Sequence, residues 1–403
     1  MDKPKNTLGM LIVLGLIVMA LCACAAKNLG KVSESLTEAE IKAETKAGSD
    51  NEPEKAEKAE KAADPLDEYI SHMTLREKAA QLIMIALDRS DENAVTGYDE
   101  ELEESLKSNG WGGVILFTEN ITTEEGTKLL TSFLQDSSEV PLFIATDEEG
   151  GRVSRLSSSG GIKDYYVPRA ADIKTPEEAF AAGQTIGKKL YELGINVDFA
   201  PVADVNTNPQ NPVIGDRSYS SDPYEAALLA KNVYEGIKGC NVLATAKHFP
   251  GHGDTSTDTH GGSVYVMHDI KRLTEIEFVP FEALIDDGIE MVMVSHIKTP
   301  NATGNDMEAS LSKEIITGIL RVQLGFKGIV ITDAMNMKAI AENYSSKKSA
   351  VLAIKAGADI VLMPPSPEEA LLAITSAVES GRISEERLNE SVKRILNAKI
   401  KLF

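Results

Sequence analysis

Val242-Leu243-Ala244-Thr245-Ala246 is a short apolar run that opens directly into Lys247-His248-Phe249-Pro250-Gly251-His252-Gly253-Asp254-Thr255-Ser256-Thr257-Asp258-Thr259-His260. The first five residues have the character of a strand covered on both faces. The polar segment behind them, rich in Gly, Asp and Thr, has the character of a loop. Seven more such runs recur along the chain: Leu82–Ala86, Val114–Phe117, Phe143–Thr146, Val197–Pro201, Met291–Ser295, Ile329–Thr332 and Ile360–Met363. Helical patterns lie between them. In Thr74–Leu82, Glu77 stands three residues after a Thr, as in a capping box. In Ser384–Leu402, Ser384 is a natural N-cap, and Leu388, Val392, Ile395 and Lys399 form one stripe. Eight strands alternating with helices over residues 65–403 predict an α/β fold, a (β/α)8 TIM-type barrel. A doubly wound open sheet has the same alternation and is the second reading. There is no Gly-rich dinucleotide fingerprint and no phosphate loop ending in Gly-Lys-Ser/Thr.

The 403 residues carry a formal net charge of −21, most of it in residues 65–403. Such a domain repels nucleic acid phosphates, and no basic stripe with interleaved aromatics offsets it. The N-terminus has the form of an export signal. Lys3 and Lys5 precede an apolar stretch, Leu8 to Leu21, that is short for a membrane span. It ends in Leu21-Cys22-Ala23-Cys24, a pattern accepted for bacterial lipoprotein processing. The expectation is a signal peptide over 1–23 and a lipidated Cys24; an ordinary cleaved signal is the alternative. Residues 24–64 contain no aromatic residue and include a Glu-Lys-Ala run, so they cannot bury enough apolar surface to fold, and a tether is expected there. After cleavage and lipidation only Cys240 of the three cysteines would remain as a thiol, so no internal disulfide is expected.

Four of the six histidines lie between positions 248 and 268, on or just behind the loop quoted above. At the C-terminal mouth of a barrel this is where active sites are built. Two chemistries fit. His248, His252, Asp258 and His260 could ligate zinc, although their spacing matches no named zinc pattern. Alternatively, Asp258 and His260 could be an acid/base dyad, the carboxylate orienting the imidazole and favouring its charged form. Asp333, at the end of Gly328-Ile329-Val330-Ile331-Thr332-Asp333-Ala334-Met335, is either a mouth carboxylate or a helix-capping Asp. Asp147, Arg152 and Arg155 in Ala145-Thr146-Asp147-Glu148-Glu149-Gly150-Gly151-Arg152-Val153-Ser154-Arg155, and Asp216-Arg217 in Gly215-Asp216-Arg217-Ser218, suit sugar hydroxyls or structural ion pairs equally.

The Lys247–His260 segment resembles the signature of glycoside hydrolase family 3, in its β-N-acetylglucosaminidase branch. The other three motifs, and Met73-Thr74-Leu75-Arg76-Glu77-Lys78, fall in that family's order. The resemblance runs from about residue 66 to the C-terminus and implies a (β/α)8 barrel. It implies Asp333 as nucleophile, His260 as general acid/base and Asp258 as the carboxylate that polarises it. Asp147, Arg155, Arg217, Lys247 and His248 would hold the sugar, and His252 would be a loop-structural residue. Glu148 departs from the common Gln, with little effect expected on sugar contacts. Ending at Phe403, the chain resembles the family's single-domain form. The implied reaction is retaining hydrolysis of terminal β-linked N-acetylglucosamine from muropeptides or peptidoglycan fragments, with no cofactor or metal, by a protein anchored to the outer side of the cell membrane. Phosphorolysis, β-glucosidase-type specificity and a lipid-anchored sugar-binding protein are the alternatives.

Overall fold

The computed structural model describes residues 64–87, 94–256 and 262–403. Residues 64–71 carry most of one short helix, Pro65–His72, and are taken separately from the compact body that begins at His72. Cys24, the leader and the tether segment lie outside the described residues.

Eight parallel strands form the centre of the body. They are β1 (Ile83–Ala86), β2 (Gly113–Ile115), β3 (Phe143–Thr146), β4 (Val197–Asp198), β5 (Leu243–Phe249), β6 (Met291–Val294), β7 (Ile329–Thr332) and β8 (Val361–Leu362). Each pairs with its sequence neighbour from β1 to β7, and β8 lies against β1. A parallel bridge from Ile331 to Ile360, with the Thr332 amide on the Ile360 carbonyl at 3.0 Å, joins the last edge. The sheet therefore closes, and the open-sheet alternative falls. Every residue of β2, β3, β5, β6 and β7 is buried, as a barrel with an outer helical ring requires.

The ring helices begin where the sequence puts short polar residues. Thr74, Asp99, Thr123, Thr175, Asp222, Ser345 and Ser384 each accept a bond from a first-turn amide. Around Thr74 the capping box is complete, with the Glu77 carboxylate accepting from the Thr74 amide at 2.6 Å. The final helix, Glu385–Leu402, buries Leu388, Val392, Ile395 and Lys399 as its stripe predicts.

The expected strands are found, but one boundary matters. The sequence ends the fifth strand at Ala246, whereas β5 continues to Phe249, so Lys247 and His248 belong to the strand and not to the loop. Between Ala246 and Phe249 its register against β6 slips by one residue, and the Lys247–His248 peptide is cis. The extra residue re-aims the strand's end, as bulges at barrel rims do.

Candidate active site at the barrel mouth

The site is assembled where β3, β4, β5 and β7 end. Behind β3 the chain turns back as a small hairpin, Glu148–Gly150 against Val153–Ser154. Its corner needs glycine: Gly150 has φ +81°, and a Cβ there would stand 2.5 Å from the Pro168 carbonyl oxygen. Extended backbone alternates, so Asp147 and Glu149 face one way and Glu148 the other.

Asp147 and Glu149 converge on Lys247. The ammonium Nζ lies 2.8 Å from Asp147 Oδ1 and 2.7 Å from Glu149 Oε1, with only 2% of its side chain exposed. Arg155 donates to Asp147 Oδ2 at 3.1 Å. Arg217, from the turn Gly215–Arg217, grips Glu149 with two bonds of 2.7 Å. Its partner is thus Glu149 and not its sequence neighbour Asp216, which pairs with Arg152 and Arg169. Burial alone would raise both carboxyls. The Lys247 and Arg155 cations outweigh it at Asp147, and the Arg217 and Lys247 cations at Glu149, so each stays below the ordinary carboxylate range. The same pairing overcomes burial at Lys247 and keeps its ammonium charged. Three cations and two carboxylates are thereby locked as ions before any ligand arrives. Arg155 Nε is buried with no hydrogen-bond partner among the described residues.

His248 sits beside this cluster, its Nε2 3.3 Å from Arg217 Nη2. Its Nδ1 lies 2.7 Å from Asp204 Oδ2, a carboxylate that also accepts from the backbone amides of His248 and His252. Burial works against the Asp204 charge, and the two histidines and these amides still hold its carboxyl below the usual range. His252 is buried, with Nδ1 2.8 Å from Thr255 Oγ1 and its carbonyl bonded by Asn211. Burial lowers its pKa against the pull of Asp204, and Asp333 is among the charges that reach it. This ring anchors the loop behind β5. The loop in turn passes so close to Val205 that a Cβ on Gly253 would lie 1.9 Å from the Val205 carbonyl oxygen.

Asp333 follows β7 directly, half-buried. Its amide donates to the Val294 carbonyl at 2.8 Å, and its Oδ1 accepts from the Ala334 amide at 2.7 Å. Among the described residues no other hydrogen bond occupies the carboxylate. Among those residues it is held by one oxygen only.

Glu148 points away from this cluster. Its carboxylate is fully buried, accepting from Leu156 N at 3.0 Å and Tyr165 Oη at 3.2 Å, while its own amide donates to Asp198. Burial pushes the Glu148 carboxyl up to about 7, and raises Asp198 well above its ordinary value with Glu148 and Asp147 adding to it.

Asp147, Arg155, Arg217, Lys247 and His248 are brought together at the barrel mouth, through ion pairs and the Arg217–His248 contact. Asp258 and His260 lie outside the described residues. Of the proposed zinc ligands, His248 and His252 have Nδ1 engaged by Asp204 and Thr255, and among the described residues no group of three or more His, Cys, Asp or Glu gathers as a metal site. Two members of this cluster, Glu149 and Asp204, are not singled out by the motifs. Glu149 is visible in principle, because it shares a strand face with Asp147. Asp204 stands on the loop behind β4 with no pattern around it.

The glycosyl hydrolase family 3 N terminal domain matches residues 74–398. Beta-hexosaminidase A of Pseudoalteromonas piscicida is 36% identical over 341 residues, covering 77% of this chain and 56% of that protein. Beta-hexosaminidase LpqI of Mycobacterium tuberculosis is 32% identical over 335 residues, covering 80% of this chain and 82% of that one. Among solved structures, a family 3 β-N-acetylglucosaminidase from Paenibacillus superposes with a TM-score of 0.76 at 37% identity, over 82% of this chain and 63% of that one. The β-glucoside phosphorylase BglX, bound to 2FGlc, superposes with a TM-score of 0.75 at 29% identity, over 84% of this chain and 60% of that one. The chain thus spans less than two thirds of the Pseudoalteromonas, Paenibacillus and BglX proteins.

Proposed function

The chain belongs to glycosyl hydrolase family 3, and on that premise we propose that it is a retaining exo-β-N-acetylglucosaminidase acting on muropeptides or peptidoglycan fragments. The observation that carries the reading is the preformed ionic cradle at the barrel mouth, beside a carboxylate tethered by a single oxygen. Asp147, Arg155, Lys247, Arg217 and His248 present fixed acceptors and donors of the kind that bind several hydroxyls of one sugar at once. The cations are paired with Asp147 and Glu149 in advance, so little reorganisation is needed when substrate enters.

In this mechanism Asp333 attacks the anomeric carbon with its outer oxygen. His260, polarised by Asp258, donates a proton to the departing glycosidic oxygen. Water then attacks the glycosyl–Asp333 ester while His260 takes back a proton, so anomeric configuration is retained. An imidazole, with an ordinary pKa of about 6.5, serves as acid and base near neutral pH. The decisive experiment is a screen of aryl β-glycosides on the purified protein. Release of aryl alcohol from the N-acetylglucosaminide well above the glucoside supports the assignment; turnover of neither leaves only a sugar-binding protein.

The likeness to BglX supports phosphorolysis as the second reading, with inorganic phosphate replacing water in the second step. Product identity distinguishes them: a sugar 1-phosphate that forms only with phosphate present marks a phosphorylase. Location is part of the proposal too. The Leu21-Cys22-Ala23-Cys24 context supports a lipid anchor at Cys24 and an extracytoplasmic site of action, and mass spectrometry of the mature N-terminus tests it.

A further inference from the structure

We infer that His296, which no motif singles out, is a positioning residue that sets the nucleophile through the backbone of Ala334; the inference rests on the reading of Asp333 as nucleophile. His296 follows β6 and is fully buried. Its Nε2 lies 3.0 Å from the Ala334 carbonyl oxygen and its Nδ1 lies 2.7 Å from Ser310 Oγ. A carbonyl can only accept, so Nε2 carries a hydrogen and donates it. In the neutral ring Nδ1 is then an acceptor, and the Ser310 hydroxyl donates to it. Ala334 uses its other polar group on the nucleophile itself, because its amide donates to Asp333 Oδ1 at 2.7 Å. A continuous path therefore runs from Ser310 through the imidazole to residue 334 and on to the inner carboxylate oxygen.

Both ends of the path are fixed. Ser310 is buried, and its amide bonds the Ser295 carbonyl at 3.0 Å. The turn that carries it, Ala309–Leu311, adjoins Glu308, which Lys298 holds at 3.2 Å and Tyr344 at 2.9 Å. At the other end the Asp333 and Met335 amides bond the Val294 and Leu362 carbonyls. Residue 334 lies between these anchors, and its carbonyl accepts both from the His296 ring and from the Met337 amide at 3.0 Å. Removing the imidazole takes away the one side-chain bond on that carbonyl and loosens the peptide next to the one whose N–H aims the carboxylate. A displacement of about 1 Å at a reacting group costs on the order of 10²-fold in rate while leaving the rest of the sugar site in place.

The test uses the full chain and two measurements. A fluorinated N-acetylglucosaminyl fluoride that reacts quickly and hydrolyses slowly is first used to trap the wild-type adduct, which peptide mapping locates. An adduct on another residue removes the nucleophile reading, and this inference with it, independently of any histidine variant. With Asp333 labelled, single-turnover release of nitrophenol from an aryl N-acetylglucosaminide, with enzyme in excess, gives the glycosylation rate in three variants. His296→Leu should lose about 10²-fold in that rate with KM within about threefold of wild type. His296→Gln places an amide NH2 close to where Nε2 stands and should recover roughly tenfold of the loss. Ser310→Ala, which keeps the ring, should lose about tenfold. A wild-type glycosylation rate in His296→Leu overturns the inference, as does an equal loss in the Leu and Gln variants. If His296→Leu does not fold, Ser310→Ala decides: an unchanged glycosylation rate there also overturns it.

Discussion

Lys247 Nζ stands 2.8 Å from Asp147 Oδ1, joining the ends of β3 and β5 across the barrel mouth. The same ammonium binds Glu149, so one buried cation holds two carboxylates at the wall of the site. This arrangement predicts a linked loss of stability and binding in Lys247→Met. Removing one partner of a buried ion pair leaves uncompensated charge and costs about 3–5 kcal/mol. Both carboxyls have folded-state pKa values below their unfolded ones. Their contribution in the wild type is therefore present above the unfolded values and fades as pH falls through the folded ones. Urea unfolding at pH 7 and pH 3 should show a large difference between wild type and variant at the first and a smaller one at the second. An equal gap at both would mean that Lys247 acts by packing alone.

Glu148 gives a pH dependence of opposite sign. Its carboxyl is raised from 4.5 to about 7 by burial, so the folded state binds more protons than the unfolded state between those values. Stability linked to this group is full below pH 4.5, declines across the interval and is gone once pH has passed about 7. Glu148→Gln keeps the acceptor for Leu156 and removes the ionisation. It should raise stability at pH 8 by on the order of 2–4 kcal/mol while changing it little at pH 4.5. Thermal melts across this range are the measurement, and parallel curves for the two proteins would reject the prediction. The position also fits the departure from Gln: the side chain bonds Leu156 N and Tyr165 Oη, away from the Asp147–Lys247–Glu149 cluster.

For Asp333 the structure separates chemistry from folding. Its carboxylate makes one hydrogen bond among the described residues, a local contact worth about 1 kcal/mol. Asp333→Asn should therefore melt within a few degrees of wild type. Loss of a nucleophile should nonetheless lower kcat by roughly 10⁴-fold or more. A well-folded variant that retains a tenth of wild-type turnover would falsify the assignment.

How much of this was legible beforehand follows from what each feature depends on. The eight strands and the helices between them were readable because apolar runs and capping residues are local signals; closure was not, because an open sheet shows the same alternation and only the Ile331–Ile360 bridge decides it. The span of β5 was misread at Lys247 and His248 because charge and imidazole look like loop, and only tertiary pairing with Asp147, Glu149 and Asp204 makes their burial tolerable. The partner of Arg217 was equally hidden. Asp216 is adjacent in sequence, but Glu149, distant in sequence, is the carboxylate that the barrel brings within 2.7 Å. Long-range ion pairing leaves no periodic trace, so residues such as Asp204 and His296 become visible only in three dimensions.

The final prediction concerns the Asp258-Thr259-His260 segment and separates acid catalysis from a metal-binding or packing role. A general acid matters in proportion to how badly the leaving group needs a proton. Nitrophenolate departs readily without one, whereas a sugar alkoxide does not. If His260 is the acid, His260→Ala should depress hydrolysis of a disaccharide by about 10²–10⁴-fold and spare the glycosylation step of an activated aryl glycoside. Deglycosylation also needs His260 as base, so the aryl reaction should become a burst followed by a slow steady state. Asp258→Asn should give a milder form of the same pattern, since the imidazole remains but loses its orienting charge. A metal ligand or packing residue would instead lower all substrates together. The measurement is pre-steady-state kinetics over leaving groups of graded pKa. In wild type, protonation flattens the dependence of glycosylation rate on that pKa; in His260→Ala the slope should steepen. A slope unchanged from wild type would assign the acid to another residue.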